Sequence, residues 1–156
     1  MKINWKLLIL CIAIPLAVGG AAALLTGGGM EVFDSVRKPP LSPPAWLFPV
    51  VWTILYTLMG VSSYLILTSG ADKEEIQSAL SIYAYQLAVN FLWPTFFFNF
   101  RWFFFSFLWL LLLLFLVVAM IREFYKLSKP AALLNIPYLV WLVFAGYLNF
   151  TIWWLN

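Results

Sequence analysis

The sequence predicts an all-α membrane protein that crosses the bilayer as a bundle of five transmembrane helices. Three observations carry that prediction. Of the 156 residues, 65% are apolar and only 10% charged. A soluble domain carries about 25% charged residues, so most of this surface has to face lipid. Five apolar stretches of roughly 20 residues, each able to span a hydrocarbon core of about 30 Å, take up most of the chain. They leave room for one membrane domain over residues 1–156 and for no separate soluble one. Finally, the basic residues sit in the connections between these stretches, which is how membrane topology is set. They form no stripe that would meet nucleic acid, despite a net charge of +3.

The first span is placed at residues 5–26. Lys2 and Lys6 before its apolar run, with Ala21-Ala22-Ala23 near the end, resemble a secretory leader, but the run is longer than an ordinary leader core. Gly19, Gly20 and the alanines give the helix a small-residue face for close packing. Gly27-Gly28-Gly29 is expected to end it, since glycine tolerates the backbone angles that stop a helix. The stretch from Gly27 to Pro44 reads as the longest loop. Within it, Arg37-Lys38-Pro39-Pro40-Leu41-Ser42-Pro43-Pro44 is a stiff, extended segment that lacks the backbone donors of its prolines. It suits a rigid spacer or a lid over a pocket.

The second span is placed at 46–68, where Trp52, Tyr56, Gly60 and Tyr64 recur every fourth residue and share one face. Asp72, Lys73, Glu74 and Glu75 are expected to form a solvated turn. The third span, 78–98, stacks Gln86, Asn90, Trp93 and Phe97 on one face, and Pro94 is expected to kink it. The fourth, 102–124, is nearly all Leu and Phe and reads as largely lipid-facing. The fifth, 131–155, gathers Tyr138, Trp141, Ala145 and Asn149. No internal repeat is visible, so the inverted-repeat design of many transporters is not expected.

With five spans, Lys2, Lys6, Lys73, Arg122, Lys126 and Lys129 share one side, and Arg37, Lys38 and Arg101 the other. The excess puts the N-terminus inside and the proline-rich segment outside. Helical spans point to the cytoplasmic membrane if the source is bacterial, because integral proteins of outer membranes are usually barrels.

No Asp, Glu, Lys, Arg or His lies near the centre of a span, which argues against a proton pump or an ion-coupled carrier. There is no histidine and a single cysteine, Cys11, so neither a metal site nor an intramolecular disulfide is expected. Glu31 and Asp34 read as a solvated cap, not a catalytic pair, and no catalytic residue is assigned. The positive signal is aromatic: 9 Trp, 7 Tyr and 15 Phe. Interfacial anchoring accounts for Trp5, Trp102, Trp153 and Trp154. Trp93 and Trp141 differ, since each shares a helical face with Asn90 or Asn149. Such amides can act as interhelical glue or as the few placed polar groups of an aromatic-walled pocket.

Three blocks of residues resemble the translocator protein family, also called tryptophan-rich sensory proteins (TspO/MBR). The first is Lys38-Pro39-Pro40-Leu41-Ser42-Pro43-Pro44 with Trp46, Val51-Trp52-Thr53-Ile54-Leu55-Tyr56 and Gly60. The second is Gln86 with Asn90-Phe91-Leu92-Trp93 and Phe96-Phe97. The third is Pro137-Tyr138-Leu139-Val140-Trp141 with Phe144-Ala145 and Leu148-Asn149. The resemblance implies a five-helix homodimer that binds porphyrins and, in many members, sterol or benzodiazepine-type ligands. It places Trp52, Tyr56, Asn90, Trp93, Phe97, Trp141 and Ala145 around a pocket, together with Tyr138 and Asn149 on the same helical face. Arg37, Lys38, Pro39, Pro40, Pro43 and Pro44 would form its lid. The chain departs from the family at Val32-Phe33, where a Trp-Tyr pair is usual, and at Leu41, often a Trp. Tyr147 is followed by no basic residue, so the sterol-recognition pattern of animal members is missing there. The expected ligand is a porphyrin or haem-type tetrapyrrole, with no obligatory cofactor and with membrane lipid and a second copy as the other partners. The alternatives are light-driven porphyrin breakdown, transport of hydrophobic molecules, and a sensory role through a protein partner.

Overall fold

The computed structural model describes residues 3–27 and 29–156, and it is all-helical there. Helix α1 is Trp5–Leu25, α2 Gly29–Ser35, α3 Leu47–Leu67 and α4 Lys73–Pro94. A π-helical turn, Thr95–Asn99, extends α4. Then follow α5 (Phe103–Leu127), α6 (Lys129–Leu133) and α7 (Ile136–Leu155). Four helical stretches are long and apolar enough to cross a membrane: α1, α3, α5 and the α6–α7 run. They make this an integral membrane protein. Large apolar side chains such as Leu24, Ile54, Phe115 and Val143 point outward, as lipid-facing helices require.

Several sequence-based boundaries shift. The expected solvated turn is shorter than anticipated, because α4 already begins at Lys73. Asp72 stands at its N-cap, and Glu74 and Glu75 occupy the first turn, where negative charge offsets the positive end of the helix dipole. The expected long loop contains α2. This helix is too short to hold by propensity alone; Phe33 anchors it, buried with Phe97 and Ile152. Helix α1 ends before the glycines, at Leu25 with Thr26 as cap, and Gly29 opens α2 instead of closing α1. Gly28, and Lys2 of the charge pattern, lie outside the described residues. The last span divides at Leu134-Asn135, just ahead of Pro137. The fourth, α5, leaves most of its residues unburied, as a largely lipid-facing helix does, and it packs one face between α4 and α7, burying Ser106, Leu110, Leu113, Val117, Met120 and Phe124.

Helices α1 and α3 approach most closely at Gly60. A Cβ there would collide with the backbone of Ile12 and lie 2.7 Å from the Cys11 carbonyl oxygen. That carbonyl is the one Pro15 leaves without an intrahelical donor, since proline has no N–H to return to residue i−4. The α3 face of Gly60 and Tyr64 therefore meets α1, and Tyr64 also accepts a hydrogen bond from the Asn4 N–H at 3.1 Å. Polar side chains join the helices deeper in. Ser62 donates to the Ala131 carbonyl at 2.7 Å, and Asn135 Nδ2 donates to Ser62 Oγ at 2.7 Å. In lipid such groups have no water to fall back on, so pairing sets helix positions.

Candidate functional site

At the end of the bundle opposite the α1 N-terminus, the helices separate around a cavity of about 420 Å³. That is within the range of small-molecule sites. α1, α2, α3, α4 with its π turn, and α7 all contribute wall. Aromatic side chains dominate: Phe33, Phe48, Trp52, Tyr56, Trp93, Phe97, Phe98 and Trp141. Trp52 stacks on Tyr56 with centroids 5.4 Å apart, and Trp93 on Phe97 at 5.3 Å. Phe48 stands edge-on to Phe33 and to Trp141. Ala145 and Gly19 keep the space open. A Cβ at Gly19 would run into the Tyr56 ring.

Two amides fix the positions of these rings. Tyr56 donates its hydroxyl proton to Asn90 Oδ1 at 3.2 Å, and Asn90 Nδ2 donates to the Tyr138 hydroxyl oxygen at 2.7 Å. Tyr138 in turn donates to Gln86 Oε1 at 2.8 Å. One chain of hydrogen bonds thus ties α3, α4 and α7. The second amide, Asn149, accepts from the Trp93 indole N–H at 3.1 Å and donates to the Phe103 carbonyl at 2.7 Å. Ser106 Oγ lies 3.2 Å from the same Asn149 oxygen. Both amides are wall and glue together, so the two readings of these residues coincide. Trp141 differs: its Nε1 is buried without an acceptor.

The residues singled out from sequence separate into two groups. Trp52, Tyr56, Asn90, Trp93, Phe97, Trp141, Ala145 and Asn149 all line the cavity. Tyr138 does not. It is 1% exposed, and its hydroxyl is spent on the network behind the wall. Arg37, Lys38, Pro39, Pro40, Pro43 and Pro44 do not line it either. What closes that end is α2, through Gly29, Met30 and Phe33, and the proline segment runs behind it. Lys38 places its ammonium 4.8 Å from the Phe33 ring centroid and 3.5 Å from Asp34. The Arg37 N–H donates to Asn156 Oδ1, and Asn156 Nδ2 donates to the Arg37 carbonyl, both at 3.0 Å. Asn99 Nδ2 donates to the Leu25 carbonyl at 3.0 Å, and Phe98 sits beneath Gly29. Phe33, Phe48 and the small residues of α1 were not read as site residues. The small-residue run on α1 was legible only as a packing face, and nothing in Phe33 alone marks it as a plug. Among the described residues, no three acidic or cysteine side chains come together to hold a metal.

The comparisons with known proteins agree with one another. The model of the TspO/MBR family matches residues 11–155. The tryptophan-rich protein TspO of Chlorobaculum tepidum is 40% identical over 150 residues, covering 96% of this chain and 95% of the relative. The translocator protein of Bos taurus is 39% identical over 140 residues, 88% of this chain and 83% of the relative. The tryptophan-rich sensory protein of Cereibacter sphaeroides is 34% identical over 156 residues, 100% of this chain and 95% of the relative.

Proposed function

The chain belongs to the TspO/MBR family, and on that premise we propose that it binds a flat, hydrophobic ligand of the tetrapyrrole class in the cavity beneath α2. The observation that carries this reading is the wall itself. It offers indole and phenyl faces for stacking, held rigid by amides whose oxygen and nitrogen are already engaged. A ligand there gains contact area without having to order the side chains first, which lowers the cost of binding. In this reading Trp52 and Trp141 stack on the ring and Asn90 holds Tyr56 in place. Sterol and benzodiazepine-type molecules are smaller candidates for the same walls.

The protein works in this proposal as a five-span homodimer in a bacterial cytoplasmic membrane, N-terminus inside. The fifth span is α4. Its 22 residues reach about 33 Å at 1.5 Å each, and its charged residues crowd the first turn, at the level of the headgroups. The surplus of basic residues on the side of the α1 N-terminus supports the orientation. Dimerisation rests on the family relationship.

The test is a titration with protoporphyrin IX in detergent, followed by quenching of tryptophan fluorescence. Saturable quenching that weakens in Trp141→Leu and in Asn90→Ala is expected. Linear quenching that neither variant changes would mean partitioning into the micelle and would end the proposal.

A further inference from the structure

The cavity is closed toward the loops and open toward the lipid. At the loop end Phe33 is 4% exposed, and the chain is held on either side of α2, at Leu25 of α1 by Asn99 and at Arg37 by Asn156. The side wall is different. The lining residues that stand exposed are Gly20, Ala23 and Gly27 of the α1 stretch, Met30 of α2, and Pro49 and Thr53 of α3. None of the lining residues on α4 or α7 is exposed. The gap in the wall therefore follows the seam between α1 and α3, above the level where Gly19 meets Tyr56 and Gly60 meets the α1 backbone. Gly20 and Ala23, three apart on α1, share one edge, and Gly27 follows just past the α1 C-cap. A Cβ added at Gly20 would find no atom within 4 Å. Leu24 and Leu25 on one flank, and Val50 and Ile54 on the other, are exposed apolar side chains on membrane-spanning helices. What lies outside the gap is hydrocarbon.

We propose that this seam is the entrance: the ligand passes sideways from the hydrocarbon layer into the cavity, through a slot between α1 and α3 whose width is set by Gly20, Ala23 and Gly27. The inference rests on the binding reading above and specifies its ligand further. The molecule dissolves in lipid, is thin enough to enter edge-on, and arrives without α2 having to lift. The same small residues that let α1 lie against α3 lower down leave the slot clear here, because α1 has no bulky side chain to fill the space where the two helices part.

Gly20→Leu is the informative variant, since its Cβ enters open space. The protein is reconstituted in liposomes, protoporphyrin IX is the probe, and association and dissociation are timed by tryptophan quenching in stopped flow. Association and dissociation are both expected to slow by about tenfold in Gly20→Leu, the effect of a modest steric barrier. Asn156→Ala, which releases the loop end, is expected to leave both rates as in the wild type. Wild-type rates in Gly20→Leu would overturn the slot, and so would a weakened Kd with unslowed association, which would make Gly20 merely part of the wall. Faster exchange in Asn156→Ala would overturn it in favour of entry beneath α2. If the wild type itself shows no saturable quenching, the binding reading fails, and the slot with it. That outcome is visible before any variant is compared.

Discussion

The two ends of this bundle are made from the same kinds of residue and are packed in opposite ways. Toward the α1 N-terminus, Gly60 presses α3 onto the α1 backbone, and Met59, Ile66 and Phe124 are fully enclosed. Toward α2 the same helix pair parts, and Trp52, Trp93 and Trp141 face an empty space instead of one another. The difference does not lie in hydrophobicity, since lipid surrounds both ends and offers no gain from burying apolar area. It lies in what the polar groups do. At the tight end Ser62, Asn135 and the Ala131 carbonyl pull backbones together. At the open end Asn90 and Asn149 hold bulky aromatic rings apart. A hole survives in a membrane protein when its lining is too stiff to collapse.

Four measurements would break or sharpen that contrast. The largest effect is expected at the tight end. Gly60→Val forces a side chain into the Ile12 and Cys11 backbone, with a loss of about 3 kcal/mol, the upper end of overpacking costs. Unfolding in detergent followed by near-UV circular dichroism would register it, and wild-type stability would show that the helices part without cost there. Next is Tyr138→Phe, which leaves Asn90 Nδ2 and Gln86 Oε1 without their partner. A loss of about 1–2 kcal/mol is expected from the unpaired buried groups. Protoporphyrin affinity should stay within about threefold, because 0.6 kcal/mol is about the limit of an effect passed on through Asn90. Trp141→Leu should show the reverse pattern, with affinity down about tenfold as one stacking face is lost. Its stability cost should be smaller than that of Tyr138→Phe, since one side of the indole faces the cavity and has no packed atoms to lose. Equal losses of stability in the two variants would erase the distinction between wall and scaffold. The smallest effect is expected from Asn156→Ala. Amide exchange over residues 29–37 should speed up about fivefold, in line with roughly 1 kcal/mol of hydrogen bonding, while global unfolding does not move.

Much of this was legible in the sequence, for reasons that also explain what was not. The faces Trp52–Tyr56, Asn90–Trp93–Phe97 and Trp141–Ala145–Asn149 could be read because helical spacing alone brings such residues into line. Three lines on three helices then converge once the helices pack. Tyr138 lies on the same line as Trp141, yet it turns away from the cavity, because its hydroxyl finds Gln86 and Asn90 behind the wall. Periodicity gives the face of a helix and cannot say which neighbour claims a polar group. Helix α2 was hidden because Gly29–Ser35 lies between glycines and prolines and owes its helical form to Phe33 docking in the bundle. The start of α4 was missed for another reason. Apolarity alone begins the span at Ser78, whereas Asp72, Glu74 and Glu75 are ordinary first-turn signals of a helix that starts ahead of its apolar core. Pro15 went unremarked within an apolar run, although its orphaned Cys11 carbonyl is where Gly60 comes closest.

The π turn at Thr95–Asn99 has a consequence for how this stretch of chain tolerates change in length. Its hydrogen bond from the Phe100 N–H to the Thr95 carbonyl spans five residues, one more than an α turn. The segment therefore carries a surplus residue, much as a spliced rope carries slack. Cutting out one residue here would let the helix rewind into regular form. The chain beyond the turn, Phe103 included, would keep its register, whereas the same cut in the regular body of α4 would swing every later side chain by about 100°. A deletion that would twist the end of a regular helix out of place is here taken up by the turn itself.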